Sequence, residues 1–343
     1  MTSSPTRPTD DGKLTIGIAV ATMAAILAVL YTWLPYATGY GSHPVTILHF
    51  ANTLWKQEDW QHCYLVPLAI GAMVYFKRHD LKPEEIKGCL AGLAGVLLGL
   101  GVYAIGFRAD NVYIGYASFQ ILTGGLILWF FGWTWMKHLF FAWAFIAFLF
   151  PLAFLDNVVA FPLRMVMSET SVTVLNFIGI SSVKVGTAIL SAPDAMSGMK
   201  TGEAFSVDVA DPCSGIRSLF ALMMVSALYG YFTQKGWWRK IILFMCSAPL
   251  AVLGNLARIL MLTIGTIMMG PEVAIGTLEN PTFFHMLAGY LVFAVALAGL
   301  IGIGWLLNAD WKGMISNVKT QIPKQPKSGR RTTAIPSKQQ DEY

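Results

Sequence analysis

Apolar runs of nearly bilayer length recur from Leu14 to Asn308, separated by short polar or basic loops. A hydrocarbon core about 30 Å thick is crossed by ~20 helical residues, so such runs confine the chain to a bundle of membrane-crossing helices. The runs are continuously apolar rather than alternating, which argues against a membrane barrel. Composition agrees, since 55% of the 343 residues are hydrophobic and only 13% are charged, too little polar surface for a soluble globule. The expected fold is all-α and polytopic, with about eight transmembrane helices and a small extracytoplasmic helix-plus-hairpin insertion before the sixth.

The spans are expected near Leu14–Leu34, His62–Phe76, Cys89–Phe107, Val112–Phe131, His138–Leu155, Cys213–Phe232, Ile241–Met269 and Phe283–Asn308. The first is too long for a signal peptide and lacks a convincing small-residue cleavage site, so it reads as an uncleaved span. Val45 to Trp55 has the pattern of an amphipathic helix lying at the interface. Asp156 to Pro212 is the one long segment between spans. Up to about Gly179 it reads as a broken amphipathic helix, and Val183/Val185 and Phe205/Val207/Val209 then alternate like two strands around the turn-rich stretch Pro193 to Gly202. The chain thus divides into a tail over 1–13, a membrane domain over 14–308 with its insertion at 156–212, and a basic tail over 309–343. That last tail is rich in Pro, Lys, Arg and Ser and is expected to be disordered.

Of the 24 Lys and Arg residues, 17 fall on the side of the two termini, 5 in the opposite loops, and Arg217 and Arg258 within spans. The positive-inside rule then places both termini in the cytoplasm of a multi-pass plasma or inner membrane protein, with the insertion outside. The net charge of +5 reports this orientation and the affinity of a basic tail for membrane lipid; it does not point to nucleic acid.

The four cysteines form no CxxC pair, and no metal-ligand spacing or cofactor motif is present. Cys213 is different in its setting. Asp211 suits a helix N-cap and Pro212 the first helical position, so Cys213 is expected in a first turn, where free N–H groups and the helix dipole favour a thiolate. Arg217, four residues on, has three open roles: lowering the thiol pKa, binding an acidic part of a substrate, or pairing with Asp208 or Asp211.

Arg258 lies 17 residues beyond the start of its span at Ile241, about 25 Å up a helix rising 1.5 Å per residue. An arginine at that depth needs a partner or a polar cavity. Asn255 shares its face, and His285 falls in the first turn of the last span. Cys213, Arg258 and His285 thus reach one level from three spans. A thiolate, a guanidinium to hold an oxyanion and an imidazole to protonate a leaving amine are the parts of a cysteine acyl-transfer site.

Val209-Ala210-Asp211-Pro212-Cys213-Ser214-Gly215-Ile216-Arg217 resembles the cysteine motif of exosortases and archaeosortases, with Pro212 standing where that family has a small residue. Pro249 and Asn255-Leu256-Ala257-Arg258-Ile259 are similar to its proline, asparagine and arginine segment, and His285-Met286-Leu287-Ala288-Gly289 to its histidine–glycine motif. Trp55 to Pro67 resembles the early segment that pairs an acidic residue with Ser-His-Gly, although Gln61 and Cys63 replace the serine and glycine.

The resemblance implies a membrane cysteine protease or transpeptidase with Cys213 as nucleophile, His285 as acid/base and Arg258 as oxyanion stabiliser. Its partners would be exported proteins carrying a C-terminal signal of motif, transmembrane helix and basic cluster. These would be cleaved through a thioester and passed to a surface anchor. Apart from the resemblance, Asp59 and His62, polar residues on the outer side, are expected to shape the substrate entrance.

Rival readings give different signals. Cys63 beside His62 is an alternative nucleophile, but adjacent helical residues point about 100° apart. A metal site from His43, His49 and His62 lacks supporting spacing. A permease binding an anionic solute through Arg258 would be expected to carry repeated, interrupted helices, which the chain lacks. A non-enzymatic scaffold, like the permease, would leave Cys213→Ser silent.

Overall fold

The computed structural model describes residues 10–39, 41–196, 198–208, 216–277 and 280–309. The tails beyond them, and the 209–215 segment with Asp211, Pro212 and Cys213, lie outside the described residues. The all-α polytopic class is borne out. Among the described residues six helices are long and apolar enough to cross a membrane.

The first helix, α1 (Asp10–Ala28), continues into a π-helical turn, Val29–Trp33. The next helix, α2 (Ile47–Trp55), is capped by Thr46, whose hydroxyl accepts from the His49 amide at 3.1 Å. It is amphipathic as expected, but its apolar face does not lie in lipid. Ile47, Phe50, Ala51, Leu54 and Trp55 are buried in a protein core with Tyr31, Tyr36, Tyr116 and Phe150.

The second expected span is a composite. A 3-10 segment, Glu58–Leu65, leads into a helix of 12 residues, α3 (Val66–Lys77).

Helix α4 (Leu90–Arg108) packs closely on α5 (Val112–Phe145). Gly92, Gly95 and Gly99 meet Trp129, Gly125 and Leu122 nearly backbone to backbone, the small-residue contact by which helices associate without a hydrophobic driving force between them.

Within α5 the fourth and fifth expected spans are joined with almost no loop. Gly132 interrupts the helix at φ 80°, ψ −173°. The second leg turns back on the first: Gln120 Nε2 donates to the Trp143 carbonyl at 2.7 Å, Trp143 Nε1 donates to the Gln120 carbonyl at 2.8 Å, and Tyr116 stacks on Phe150. These pairs are nearly symmetric about Gly132. The run Val112–Leu149 therefore contains two antiparallel legs.

The insertion departs from expectation twice. Its helix is one continuous run of 22 residues, a π-helical turn Asp156–Ala160 leading into α6 (Phe161–Phe177), and is itself long and apolar enough to cross a membrane. Met167 and Leu175 pack on Ile259 and Leu262 in the second half of the long helix α8 (Trp237–Met269).

The expected hairpin is a three-stranded antiparallel meander of β1 (Ser182–Val185), β2 (Ala188–Ser191) and β3 (Ser206–Asp208), in the order β1-β2-β3. The two strands read from alternation do not pair with each other; both pair with β2, at Val183↔Leu190 and Ile189↔Val207. A turn at Gly186 (φ 63°) joins β1 to β2, and Ile189 and Phe205 face the same core as Ile259 and Ala288.

The remaining helices are α7 (Ile216–Thr233), α8, the short α9 (Pro271–Ala274) and α10 (Phe283–Asn308). Leu222, Leu243, Ala251, Ala296 and Leu300 knit α7, α8 and α10 into a three-helix unit. On its other side Met224 of α7 joins Val66, Met73, Ala142 and Phe145. Helix α7 is the shared wall between the two halves. At one pole the loops come together, with Phe76 against Phe232, Phe140 against Trp237, and the Trp135 indole donating to the Lys82 carbonyl. Among the described residues Lys77, Arg78, Lys82, Lys87, Lys235, Arg239 and Lys240 sit in or beside these loops.

Candidate active site

Helices α8 and α10 run antiparallel in a register that small residues set. A Cβ at Gly254 would lie 3.0 Å from Val292 Cγ1, one at Gly265 would lie 2.6 Å from Phe284 Cε1, and one at Gly289 would lie 3.4 Å from Arg258 Cζ. The Arg258 guanidinium therefore rests against the α10 backbone at Gly289. His285 precedes Gly289 by one turn on the same face, about 6 Å along the axis. His285 is 7% exposed. Its position follows from local chemistry: Thr282 caps α10, and its hydroxyl accepts from the His285 amide at 3.1 Å.

Asn255, one turn before Arg258, is buried. It lines a cavity of about 40 Å³ together with Arg258 and Gly289, and with Ser218 from the first turns of α7. The wall away from these polar groups is apolar, formed by Leu222, Val292 and Phe293. Three helices thus contribute to one small, part-open pocket lined by the half-buried Arg258 and the buried Asn255, a setting in which an electrostatic interaction is stronger than in bulk water. Ser218 is five residues after Cys213 in the chain.

The candidates from the early segment converge on the same end of α7. Arg217 Nε lies 3.4 Å from Asp59 Oδ1, a partner not foreseen from sequence. His62 stacks on Phe220 with ring centroids 6.3 Å apart and planes at 7°, and Trp60 meets the same ring at 5.2 Å. Asp208, one partner considered for Arg217, accepts from the Thr187 hydroxyl at 3.0 Å.

Cys63 is 0% exposed, within the core of Trp55, Trp60 and Phe150. A sulfur so enclosed has no route to a peptide substrate, and the structure thereby sets aside the rival nucleophile. The three histidines of the imagined metal site are not gathered either. His49 lines an open groove of about 350 Å³ with Asn52 and Trp55, whereas His62 faces Phe220. Among the described residues no cluster of three or more His, Cys, Asp or Glu side chains has the arrangement to hold a metal ion.

The sequence pattern of the transmembrane exosortase family (Exosortase_EpsH) matches residues 54–302, which takes in the early segment, α7, α8 and the His285–Gly289 turn. The chain belongs to the transmembrane exosortase family. No curated protein and no solved structure matches it. As an exosortase the chain is a multi-pass membrane protein with a transpeptidase-type function directed at exported proteins.

Sequence reasoning named Arg258, His285, Asn255, Asp59, His62 and Arg217 in this exosortase. It did not foresee Ser218, Phe220 or the seat that Gly289 provides. For Gly289 a signal existed, a residue without a side chain one turn after a histidine on the same helical face. Phe220 carried none, because a phenylalanine in an apolar helix is indistinguishable from lipid-facing neighbours.

Proposed function

We propose that this exosortase is a cysteine transpeptidase that cleaves a C-terminal sorting signal of exported proteins and transfers them to a surface anchor. Cys213 is the nucleophile, His285 the acid/base and Arg258 the oxyanion stabiliser. One observation carries the reading: Arg258 rests on the glycine one turn from His285, in a chamber that the first turns of α7 help to close.

The Cys213 thiolate attacks the scissile carbonyl, forming the C–S bond, and the carbonyl oxygen takes the negative charge beside the Arg258 guanidinium. Collapse of this intermediate breaks the C–N bond, and the departing nitrogen takes a proton from the His285 imidazolium. The thioester is then attacked by the acceptor nucleophile, an amine, a hydroxyl or water. Its proton passes to the neutral imidazole, and the sulfur leaves as thiolate.

On this reading the pole carrying the Arg258 chamber faces the extracytoplasmic side, and the basic loops and both termini face the cytoplasm. The permease reading gains no support, because no matching pair of interrupted helices accompanies Arg258 among the described residues.

The test is to trap the thioester in the cell with a co-expressed exported protein and identify the Cys213-linked fragment by mass spectrometry. A linked fragment, with uncleaved substrate accumulating in Cys213→Ser, is the expected result. Normal processing in Cys213→Ser would overturn the proposal.

A further inference from the structure

We infer that Asp59, with His62, is a positioning element for the start of α7, and not a wall of the substrate entrance. The inference rests on the function proposed above for its catalytic consequence, but its geometry stands alone. In a 3-10 helix, side chains three residues apart eclipse, so Asp59 and His62 lie along one edge of the Glu58–Leu65 segment. In an α-helix, residues three apart share a face, so Arg217 and Phe220 form a matching edge on α7. The two edges meet in register. Asp59 takes Arg217 at 3.4 Å, and the His62 ring runs parallel to Phe220, offset with centroids 6.3 Å apart, with Trp60 against the same ring. Two sequence-distant i,i+3 pairs, 158 residues apart at the ion pair, form a two-point grip on the helix that follows Cys213.

The grip explains the residue types. One ionic contact alone leaves a long guanidinium free to swing, and one ring stack alone leaves the helix free to rotate about it. Together they set both the rotation of α7 and the direction of the Arg217 charge, four residues from Cys213. The ion pair is part-exposed, 39% on Arg217 and 32% on Asp59, and pairs of this exposure add little to global stability. The contribution to the reaction is therefore separable from folding.

A double-mutant cycle on the full chain in bilayer nanodiscs tests this, using Asp59→Asn, Arg217→Gln and the double variant, with Asp59→Glu and Arg217→Lys as conservative changes. Two readouts are taken: the rate of Cys213 alkylation by iodoacetamide, in a background with Cys63→Ala, Cys89→Ser and Cys246→Ser, and the processing of an exported substrate. Each single charge removal is expected to change the alkylation rate and lower substrate turnover about tenfold with little change in apparent KM. The double variant is expected to be no worse than either single, as for residues acting as one unit. Asp59→Glu is expected to recover most of the loss, and Arg217→Lys, lacking the guanidinium fork, less.

Independent, multiplicative losses overturn the inference, as does an Asp59→Asn variant that behaves like the parent or changes only KM. If Asp59→Asn does not yield a monodisperse protein, the comparison of Asp59→Glu with Arg217→Lys decides the matter by the same criterion. Because alkylation needs no substrate, the grip is read even if Cys213→Ser still processes exported proteins. That last result would remove the proposed function and leave the grip standing. A silent Cys213→Ser with an additive cycle would remove both.

Discussion

Arg258 rests on Gly289. A Cβ built at Gly289 falls 3.4 Å from both Cζ and Nη2 of the guanidinium and 3.5 Å from Nε. These are ordinary contact distances, and they make a graded prediction possible. Gly289→Ala adds a methyl group that just touches the guanidinium, and processing should stay within a fewfold of wild type. Gly289→Val projects two further methyl groups into the space Arg258 occupies and should lower turnover by tenfold or more, about 1.4 kcal/mol of transition-state stabilisation. Equal activity in the two variants, measured as processing of an exported reporter, would count against Gly289 as the seat of Arg258.

The four cysteines should separate cleanly. Cys89 and Cys246 are partly buried and Cys63 is fully enclosed, and all three are free thiols. Cys89→Ser and Cys246→Ser should process the reporter at near wild-type rate. Cys63→Ser places a hydroxyl in an apolar core and should cost about 1–3 kcal/mol, read as a lower melting temperature in detergent with activity retained in the folded fraction. Only Cys213→Ser should abolish processing while leaving the melting temperature unchanged.

Gly132 makes the turn of the α5 hairpin. Its φ of 80° is one that L side chains rarely adopt, and an added Cβ would lie 1.9 Å from the Lys87 carbonyl oxygen. Gly132→Ala should therefore destabilise the protein by about 2 kcal/mol or more, combining backbone strain with a clash against backbone. A thermal melt in detergent reads the effect, and a melting temperature equal to wild type would show that the turn is not tight.

Asp110, between α4 and α5, accepts from the Thr38 hydroxyl and, at 2.7 Å, from the Thr38 backbone amide. The side-chain hydrogen bond first, and the backbone one second, hold its carboxyl below the usual carboxylate range. A carboxyl depressed in the folded state contributes stability that is present above its unfolded pKa, roughly 3.9, and is lost as pH falls through the folded value. The melting temperature should fall on acidification below about pH 4, and Asp110→Asn should flatten that acid limb. An unchanged limb in Asp110→Asn would assign it to other carboxylates.

Much of the architecture was already written in the chain. Bilayer-length apolar runs and basic loops are local properties, and the lipid solvent makes them nearly decisive for helix formation. The last helix, Phe283–Asn308, matches its sequence reading to the residue. The order of motifs identified the family, and depth counted along α8 anticipated that Arg258 would meet the first turns of α10.

What tertiary structure decided was partnership. Hydropathy cannot say which apolar surfaces meet, because lipid tails and leucines are nearly equivalent environments; shape and polar pairing choose instead. Hence the burial of α2 in protein and the pairing of both alternating strands with Ala188–Ser191 were not legible in advance, and of the expected reversal between Val112–Phe131 and His138–Leu155 only its tightness at Gly132 was not. The meeting of Asp59 with Arg217 belongs to the same class. Each carboxylate and guanidinium was visible as an unusual residue, but only packing against α7 brought these two, from distant parts of the chain, within reach.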